Sequence, residues 1–360
     1  MTDSKNIEKL TAEAVELLRE MVAIPSPSFH EDAVCSHISN WLTAKGVEHE
    51  RVGNNIIAEH ITDPSEPTLM LCAHIDTVEP CEGYTFDPYK PENCPSDMVQ
   101  GLGSNDDGAS VVSMIAAYRY IHNSAKSHAD TPNLTLVLTC EEERSGKGGM
   151  TGLWGKRLSQ IDYAIVGEPT GMKAATSERG LLVIDATAHG ISGHAARNEG
   201  INAIYIAIED IDKIRNFTFD KVSPLMGDVN MSVTQINAGY AHNVIPDSCS
   251  FVVDIRPTDC YTNPEIMDIL SKELKSELKP RSLTNKSSAT PIGHPLLNAL
   301  KKSNIESFIS PTTSDWMRLS IPAVKIGPGD SARSHRADEY IKISEIEMGI
   351  DGYIKLIENL

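Results

Sequence analysis

The 360-residue sequence lacks any long apolar run and is poor in basic residues. No stretch approaches the ~20 apolar residues that span a bilayer, and the first ten residues carry no apolar signal segment. We therefore expect a cytoplasmic protein with no membrane partner. Lys and Arg number 32 against 50 Asp and Glu, and the resulting formal charge of -18 argues against a nucleic-acid partner.

Cysteine is also sparse. Seven cysteines occur without CxxC spacing, and an odd count leaves no complete disulfide framework, so a reducing compartment is expected. Cys72 and Cys140 fall in apolar strand patterns and are interpreted as small core residues. The sequence shows no internal repeat, and its length predicts a large core divided over about two domains.

Two amphipathic helices are predicted at the start of the chain, because apolar residues recur at helical spacing over 7–22 and 34–42. Continuous apolar runs that predict buried strands follow at 69–73, 134–138 and 164–166. A helix-like segment at 109–120 lies between the first two runs. Strands that are apolar on both faces and alternate with helices predict an α/β fold, with a mixed, mostly parallel sheet covered by helices.

The pattern changes near Arg179. The next elements are predicted as strand, helix, strand, strand and helix, at 181–184, 203–214, 231–236, 251–255 and 266–278. This order suits a smaller α+β sandwich inserted into the larger domain. We therefore predict a larger domain formed by 1–178 and 290–360, with the insertion at 179–289 between its two parts. A strand at 323–326 and a helix at 343–357 complete the larger domain.

Acidic and histidine side chains collect where the predicted strands end. Desolvating such charges is costly, so a cluster at a strand end indicates either solvent exposure or a bound cation. The residues concerned are His74 and Asp76 after the first run, Glu141, Glu142 and Glu143 after the second, Glu168 after the third, and further Asp106 and His335. Imidazoles and carboxylates in this mixture suit zinc, cobalt or manganese, and the absence of thiolates argues against a closed structural zinc site.

The pair His74 and Asp76 forms a short motif. Residues i and i+2 of an extended segment point to the same side, so Asp76 can accept a hydrogen bond from the ring nitrogen of His74 that is not on a metal. Such a bond fixes the tautomer of the histidine. A plain surface pair is the alternative, and for this motif alone it is the more common outcome.

The loop 101–108 is rich in glycine and carries two acidic residues. Asp106, held in such a loop, can bridge two cations. The alternative is a capped helix start with Asp106 or Asp107 as the N-cap. A phosphate-binding loop is disfavoured, because the loop has no lysine and its own charges are negative.

The three adjacent glutamates at 141–143 repel one another, and such a run usually forms a solvated loop. Their position directly after an apolar strand supports a functional alternative. Carboxylates crowded at a cation can divide the work, one binding the metal and another accepting a proton.

Seven motifs in sequence order resemble those of the acetylornithine deacetylase and succinyl-diaminopimelate desuccinylase family of two-zinc amidohydrolases. They cover almost the whole chain: His74-x-Asp76, Gly101-x-Gly103-Ser104-x-Asp106, Glu142-Glu143, Gly167-Glu168-Pro169-Thr170, Gly193-His194-Ala195, Asn243-Val244-Ile245-Pro246 and His335. Leu102 and Gly108 stand where the family often has Arg and Lys, and this difference leaves the subfamily open.

The resemblance implies a site for two divalent metal ions, expected to be zinc, with cobalt and manganese as alternatives. The implied ligands are Asp106 between the ions, His74 and Glu168 on one ion, and Glu143 and His335 on the other. Asp76 would orient His74, and Glu142 would be the general base. Glu141 precedes the functional pair in this alignment of motifs, and a shift by one residue is the alternative.

The resemblance also implies roles for the insertion. It would pair with its counterpart in a homodimer, and His194 would reach the partner's active site to stabilise an oxyanion. Asn243, Arg256 and Arg179 are candidates for binding the carboxylate of the substrate. The structural alternatives are a loop histidine and arginines that only form ion pairs at strand ends.

The implied reaction is hydrolysis of the amide bond in an N-acyl-L-amino acid. The preferred substrate is N-acetyl-L-ornithine, which would give L-ornithine and acetate in arginine biosynthesis. N-succinyl-ornithine, N-acetylcitrulline and succinyl-diaminopimelate are the competing substrates. A dipeptidase or aminopeptidase on the same metal site is a further alternative, and a metal-free binding protein is disfavoured by the full set of ligand types.

Overall fold

The structure, a computed structural model, describes residues 4–123, 133–197 and 199–360. The chain forms two compact units. The first is drawn from Met1–Thr176, Thr290–Phe308 and Ser314–Leu360, and the second from Ser177–Ala289 and Ile309–Thr313. The short segment 309–313 was not part of the predicted insertion.

The strands and helices are numbered in chain order. The strands are β1 (Glu50–Val52), β2 (Asn55–His60), β3 (Thr68–His74), β4 (Met98–Gln100), β5 (Asn133–Thr139), β6 (Tyr163–Val166), β7 (Ala174–Glu178), β8 (Leu182–His189), β9 (Gly193–His194), β10 (Asn230–Ala238), β11 (Val244–Ile245), β12 (Ser248–Arg256), β13 (Glu277–Pro280), β14 (Ser288–Ala289), β15 (Ser307–Ser310), β16 (Ala323–Lys325) and β17 (Tyr340–Lys342). The helices are α1 (Ser4–Val22), α2 (Asp32–Ala44), α3 (Gly108–Asn123), α4 (Met150–Leu153), α5 (Ala203–Asn216), α6 (Asn263–Glu273), α7 (Pro295–Lys302) and α8 (Ile343–Glu358). Within the described ranges, no helix is both long and apolar enough to cross a bilayer.

A mixed sheet forms the centre of the first unit. The strand order is β1-β2-β5-β3-β6-β16-β7-β14, and β15 pairs with β7. The central strands β5, β3, β6 and β16 run parallel to their neighbours in this group, and the flanking pairs are antiparallel. Parallel strands end at the same edge of a sheet, so the carboxyl ends of β3, β5 and β6 meet there.

Strand β3 shows why the sheet needs cover on both faces. All seven of its residues are buried. Leu69 and Leu71 belong to the apolar core that includes residues of α1, α3 and α8, whereas Met70 and Cys72 belong to a second core with Trp316. Alternate residues of a strand point to opposite faces, so each face of β3 packs in a different layer. The predicted α/β class with a mixed sheet is confirmed.

The second unit contains a four-stranded antiparallel sheet in the order β10-β12-β8-β13. Along β8, buried residues alternate with partly exposed ones. The buried set, which includes Leu182 and Ile184, packs with residues of α5 and α6 such as Ala207 and Leu270. One face of the sheet is therefore covered by helices, as expected for an α+β layer pair.

The predicted helix 266–278 is wrong at its carboxyl end. Helix α6 begins at Asn263, after the N-cap Thr262, and ends at Glu273. Residues Glu277–Pro280 form β13 instead and pair antiparallel with β8. The apolar Leu278 fits a helical period by chance, and the pairing with a distant strand determines the structure of this segment.

Candidate metal centre

The predicted ligands are positioned by the parallel strands. His74 is the last residue of β3 and pairs with Thr139, the last residue of β5. The glutamates at 141–143 begin two residues beyond β5, and Glu168 lies two residues beyond β6. Because these strand ends share one edge of the sheet, the side chains converge although they are far apart in sequence.

His74 is held from both sides of its ring. Its Nδ1 lies 2.9 Å from the carbonyl oxygen of Asp76 and 3.4 Å from the Asp76 carboxylate. Its Nε2 lies 3.2 Å from Oδ1 of Asp106. Nδ1–H donation to Asp76 leaves Nε2 as the nitrogen that faces the cluster. The orienting contact therefore runs mainly through the backbone of Asp76, and not only through its carboxylate.

Asp106 lies between the two histidines. Its Oδ1 faces His74, and its Oδ2 is 3.8 Å from Nε2 of His335. The same nitrogen of His335 is 2.9 Å from Oε1 of Glu143, and this hydrogen bond raises the pKa of His335 to about 8. A carboxylate with one oxygen toward each histidine has the arrangement that a bridging ligand requires.

Glu142 and Glu168 form a second group with His74. Ligand atoms of these three residues lie within 4.8 Å of one another, as do those of His74, Asp106 and Glu143. Removal from water raises the pKa of Glu142 and of Glu168 well above the usual range, and neighbouring carboxylates raise both further. The negative charges are thus crowded and poorly hydrated.

Glu141 is directed away from this cluster. Its carboxylate accepts a hydrogen bond from the backbone N–H of Gly148, at 2.7 Å, and packs against Gly146. A Cβ at either glycine would come within 2.3 Å of a Glu141 carboxylate oxygen. The positive φ of Glu141, 59°, turns the chain so that Glu142 faces the cluster. This geometry favours Glu142 over Glu141 as the general base, and that role stays a prediction.

The donor set fits a pair of divalent cations. Imidazole nitrogens and carboxylate oxygens converge without a sulfur atom, a combination that suits zinc, cobalt or manganese. Bound cations would also compensate the crowded carboxylates, whose raised pKa values record the cost of holding these charges together. The residues that would hold the ions are the five predicted ones, His74, Asp106, Glu143, Glu168 and His335.

His194 and Asn243 lie together in the second unit. Strand β9 pairs with β11, and the backbone N–H of Ala195 donates to the carbonyl oxygen of Asn243 at 3.1 Å. Both His194 and Asn243 are exposed. The two residues therefore form one small polar surface, and their proposed roles in catalysis and substrate binding stay predictions.

The two candidate arginines have protein partners. Arg256 makes a two-pronged ion pair with Asp254, with N–O distances of 2.8 and 3.1 Å. Arg179 donates to the carbonyl oxygens of Asp228 and Met226. These contacts match the structural alternative for both residues, and binding of a substrate carboxylate would require either arginine to share its donors.

Two carboxylates support the glutamate loop, and the sequence patterns did not assign them this task. Glu31, which is fully buried, accepts from the backbone N–H of Phe29 at 2.8 Å and of Glu141 at 3.0 Å. Asp76 accepts from the N–H groups of Glu142 and Glu143 at 3.0 and 3.1 Å. Two buried carboxylates thus accept hydrogen bonds from the three consecutive backbone N–H groups of residues 141–143. No local pattern marks Glu31, because its partner is 110 residues away.

Replacing Glu31 by Ala is expected to destabilise the protein by about 2–3 kcal/mol, since the partly buried N–H of Glu141 would lose its acceptor. Urea unfolding of the variant and the wild type measures this difference, with the slope of the transition as the check that both unfold alike. An unchanged midpoint would contradict a role for Glu31 in holding the glutamate loop.

Comparison with known proteins gives one family. The model of the peptidase family M20/M25/M40 matches residues 70–359. An acetylornithine deacetylase from Proteus mirabilis is 27% identical over 379 residues, which cover 96% of each chain. A succinyl-diaminopimelate desuccinylase from Wolbachia pipientis wMel is 26% identical over 374 residues, covering 96% of this chain and 92% of the relative.

Among solved structures, the aminopeptidase PepT from Bacillus cereus superposes with a TM-score of 0.76. The alignment covers 98% of both chains at 19% identity, so this likeness concerns the fold. The family match spans most of the chain and includes every predicted metal ligand. The chain therefore belongs to the peptidase family M20/M25/M40 and is a metal-dependent hydrolase of that family.

Proposed function

We propose that the protein hydrolyses the amide bond of an N-acyl-L-amino acid, with N-acetyl-L-ornithine as the preferred substrate and L-ornithine and acetate as the products. The observation that carries this proposal is the convergence of five ligand-type side chains at the edge of the sheet, with Glu142 beside two of them, His74 and Glu168. The similarity to an acetylornithine deacetylase supports the choice of acyl group and amino acid.

Two divalent cations, zinc in our proposal, would act as Lewis acids on the acyl carbonyl and lower the pKa of the attacking water toward ~7. Asp106 would be shared between them. His74 and Glu168 would complete one ion site, and Glu143 and His335 the other. The fixed orientation of His74, set by its Nδ1 contact with Asp76, directs Nε2 to this position.

In this proposal Glu142 carries a proton between the attacking water and the leaving amine. It takes a proton from water as the oxygen attacks the acyl carbon, and it returns that proton to the amine nitrogen as the C–N bond breaks. The products are a carboxylic acid and a free amine, so water is consumed and the atoms balance. Burial raises the pKa of Glu142 and so favours its protonated form, which is the form that donates to the amine in the second step.

We further propose a homodimer formed through the insertion, 179–289, in which His194 of one subunit stabilises the oxyanion in its partner. Asn243 is the favoured contact for the substrate carboxylate, because it is exposed beside His194. Arg256 and Arg179 are weaker candidates, since each already binds a protein oxygen.

A peptidase is the second candidate function, and the fold likeness to an aminopeptidase motivates it. A peptidase of this kind would need an acidic group to receive the free α-amino group of its substrate. The two functions therefore differ in the α-amino group of the substrate, which is acylated for a deacylase and free and charged for an aminopeptidase or dipeptidase.

The test is amine release from a panel of acetyl- and succinyl-amino acids and from dipeptides, with and without a chelator. We expect turnover of N-acetyl-L-ornithine above all other compounds, and loss of that turnover when the chelator is present. Preference for succinyl compounds would replace the proposed substrate by succinyl-ornithine or succinyl-diaminopimelate. Turnover of the dipeptides alone would overturn the deacylase function.

A further inference from the structure

One buried carboxylate outside the proposed ligand set holds the loop that carries Asp106. Glu339 is only 2% exposed. Its Oε1 accepts from the backbone N–H groups of Asn105 and Asp106 at 2.8 and 2.9 Å, and its Oε2 accepts from Gly103 at 3.2 Å. Three backbone N–H groups within the four residues 103–106 thus donate to a single side chain.

The segment that carries Glu339 also carries His335. Beyond the side-chain contacts, the carbonyl oxygen of Glu339 accepts from the N–H of Gly101 at 2.9 Å. Strand β17 begins at the next residue and pairs with β4, which ends just before the glycine-rich loop. The two segments are therefore joined at Glu339 and along the strand that follows it.

Asn105 adds a second connection between the same segments. Its Oδ1 accepts from the backbone N–H of Asp330 at 2.9 Å, and its Nδ2 donates to the carbonyl oxygen of Asp330 at 3.2 Å. The loop before Asp106 and the segment before His335 are consequently fixed against each other by contacts between residues 225 positions apart in sequence.

We infer that Glu339 is a positioning residue that fixes the backbone of Asp106 relative to His335, so that the spacing of these two ligands is set before any metal binds. This inference rests on the metal site proposed above. A carboxylate is required because all three of its partners are N–H donors. A glutamine at this position would turn its NH2 group toward one of them and leave two donors facing each other.

The matched control is Asp210 in the second unit. Asp210 is also fully buried, and its carboxylate accepts from the backbone N–H groups of Lys275 and Ser276 at 2.8–3.1 Å. The substitution Asp210→Asn makes the same chemical change as Glu339→Gln in a carboxylate that holds backbone amides, but none of its partners is a proposed metal ligand.

The experiment measures the affinity of the full-length wild type, Glu339→Gln and Asp210→Asn for zinc and for cobalt(II) by competition with a chelator. We expect Glu339→Gln to bind metal about 10- to 100-fold more weakly, the usual effect of losing a group that supports a ligand. Its cobalt absorption spectrum should also change, and kcat should fall more than KM rises. Asp210→Asn should keep the wild-type affinity and spectrum even if it unfolds more easily.

The outcomes separate this inference from the proposed function. If the wild type binds neither metal, the proposed site fails and the inference fails with it. If the wild type binds metal and Glu339→Gln binds it equally well with the same cobalt spectrum, only the inference is overturned. An equal loss of affinity in Asp210→Asn would also overturn it, because the loss would then reflect general destabilisation.

A measurement on the metal-free wild type keeps the inference testable if Glu339→Gln does not fold. Amide hydrogen exchange at Gly103, Asn105 and Asp106 should be as slow as at Ser276, whose amide is held by Asp210. Fast exchange at the three loop amides, with Ser276 still protected, would show that Glu339 does not fix the loop before metal binds.

Discussion

Glu142→Gln is expected to lower the turnover of the acylated substrate by about 10²–10⁴-fold while the bound metal remains. The amide of glutamine cannot accept the proton of the attacking water, but it keeps the size of the side chain and one carbonyl oxygen. The proposed ligands His74 and Glu168, which share the cluster with Glu142, are unchanged by the substitution. Steady-state kinetics and metal analysis of the same sample measure both effects.

Glu141→Gln is the control for this prediction. Its carboxylate accepts a hydrogen bond from the backbone N–H of Gly148 within its own loop and does not face the cluster, so we expect turnover within a few-fold of the wild type. If Glu141→Gln alone abolished turnover, the assignment of the base would be wrong by one residue. If Glu142→Gln lost metal together with activity, Glu142 would be a ligand and not the proton carrier.

Asp106→Ala is expected to abolish activity, because both proposed ion sites would lose their shared ligand. The two oxygens of Asp106 face different histidines, His74 at 3.2 Å and His335 at 3.8 Å, as a shared ligand requires. We expect the content of both ions to fall together, since each ion would lose the ligand that it shares with the other.

Elemental analysis of the purified variant checks this expectation, with Asp210→Asn as the control for a lost buried carboxylate. Loss of one ion only, with the second at full occupancy, would contradict a bridging role for Asp106. Retention of both ions would place the shared ligand at another residue.

Strands that are apolar on both faces could be predicted from the sequence. The runs 69–73 and 134–138 lie within β3 and β5, because burial in a covered parallel sheet demands continuous apolar residues. Strand β2 was missed. Its apolar stretch is short, at 56–58, and its extended structure depends on pairing with β5, which lies far along the chain.

The convergence of the site could also be anticipated, since His74 ends one of two neighbouring parallel strands and Glu168 follows the other. The supporting carboxylates Glu31 and Glu339 could not be predicted from the sequence. Glu31 contacts a loop 110 residues away and Glu339 one 234 residues away, and each sits in a segment with no strand-end pattern. A single carboxylate that accepts backbone amides leaves no periodic signal in a sequence, so only the folded chain reveals it.

The most direct test of the two-metal mechanism measures metal content and hydrolysis of N-acetyl-L-ornithine on the same purified protein, before chelation, after exhaustive chelation and after zinc is returned. We predict two divalent ions per chain at the start, loss of activity as they are removed, and recovery when two equivalents of zinc are restored. Full activity in protein that retains no divalent metal would contradict this mechanism.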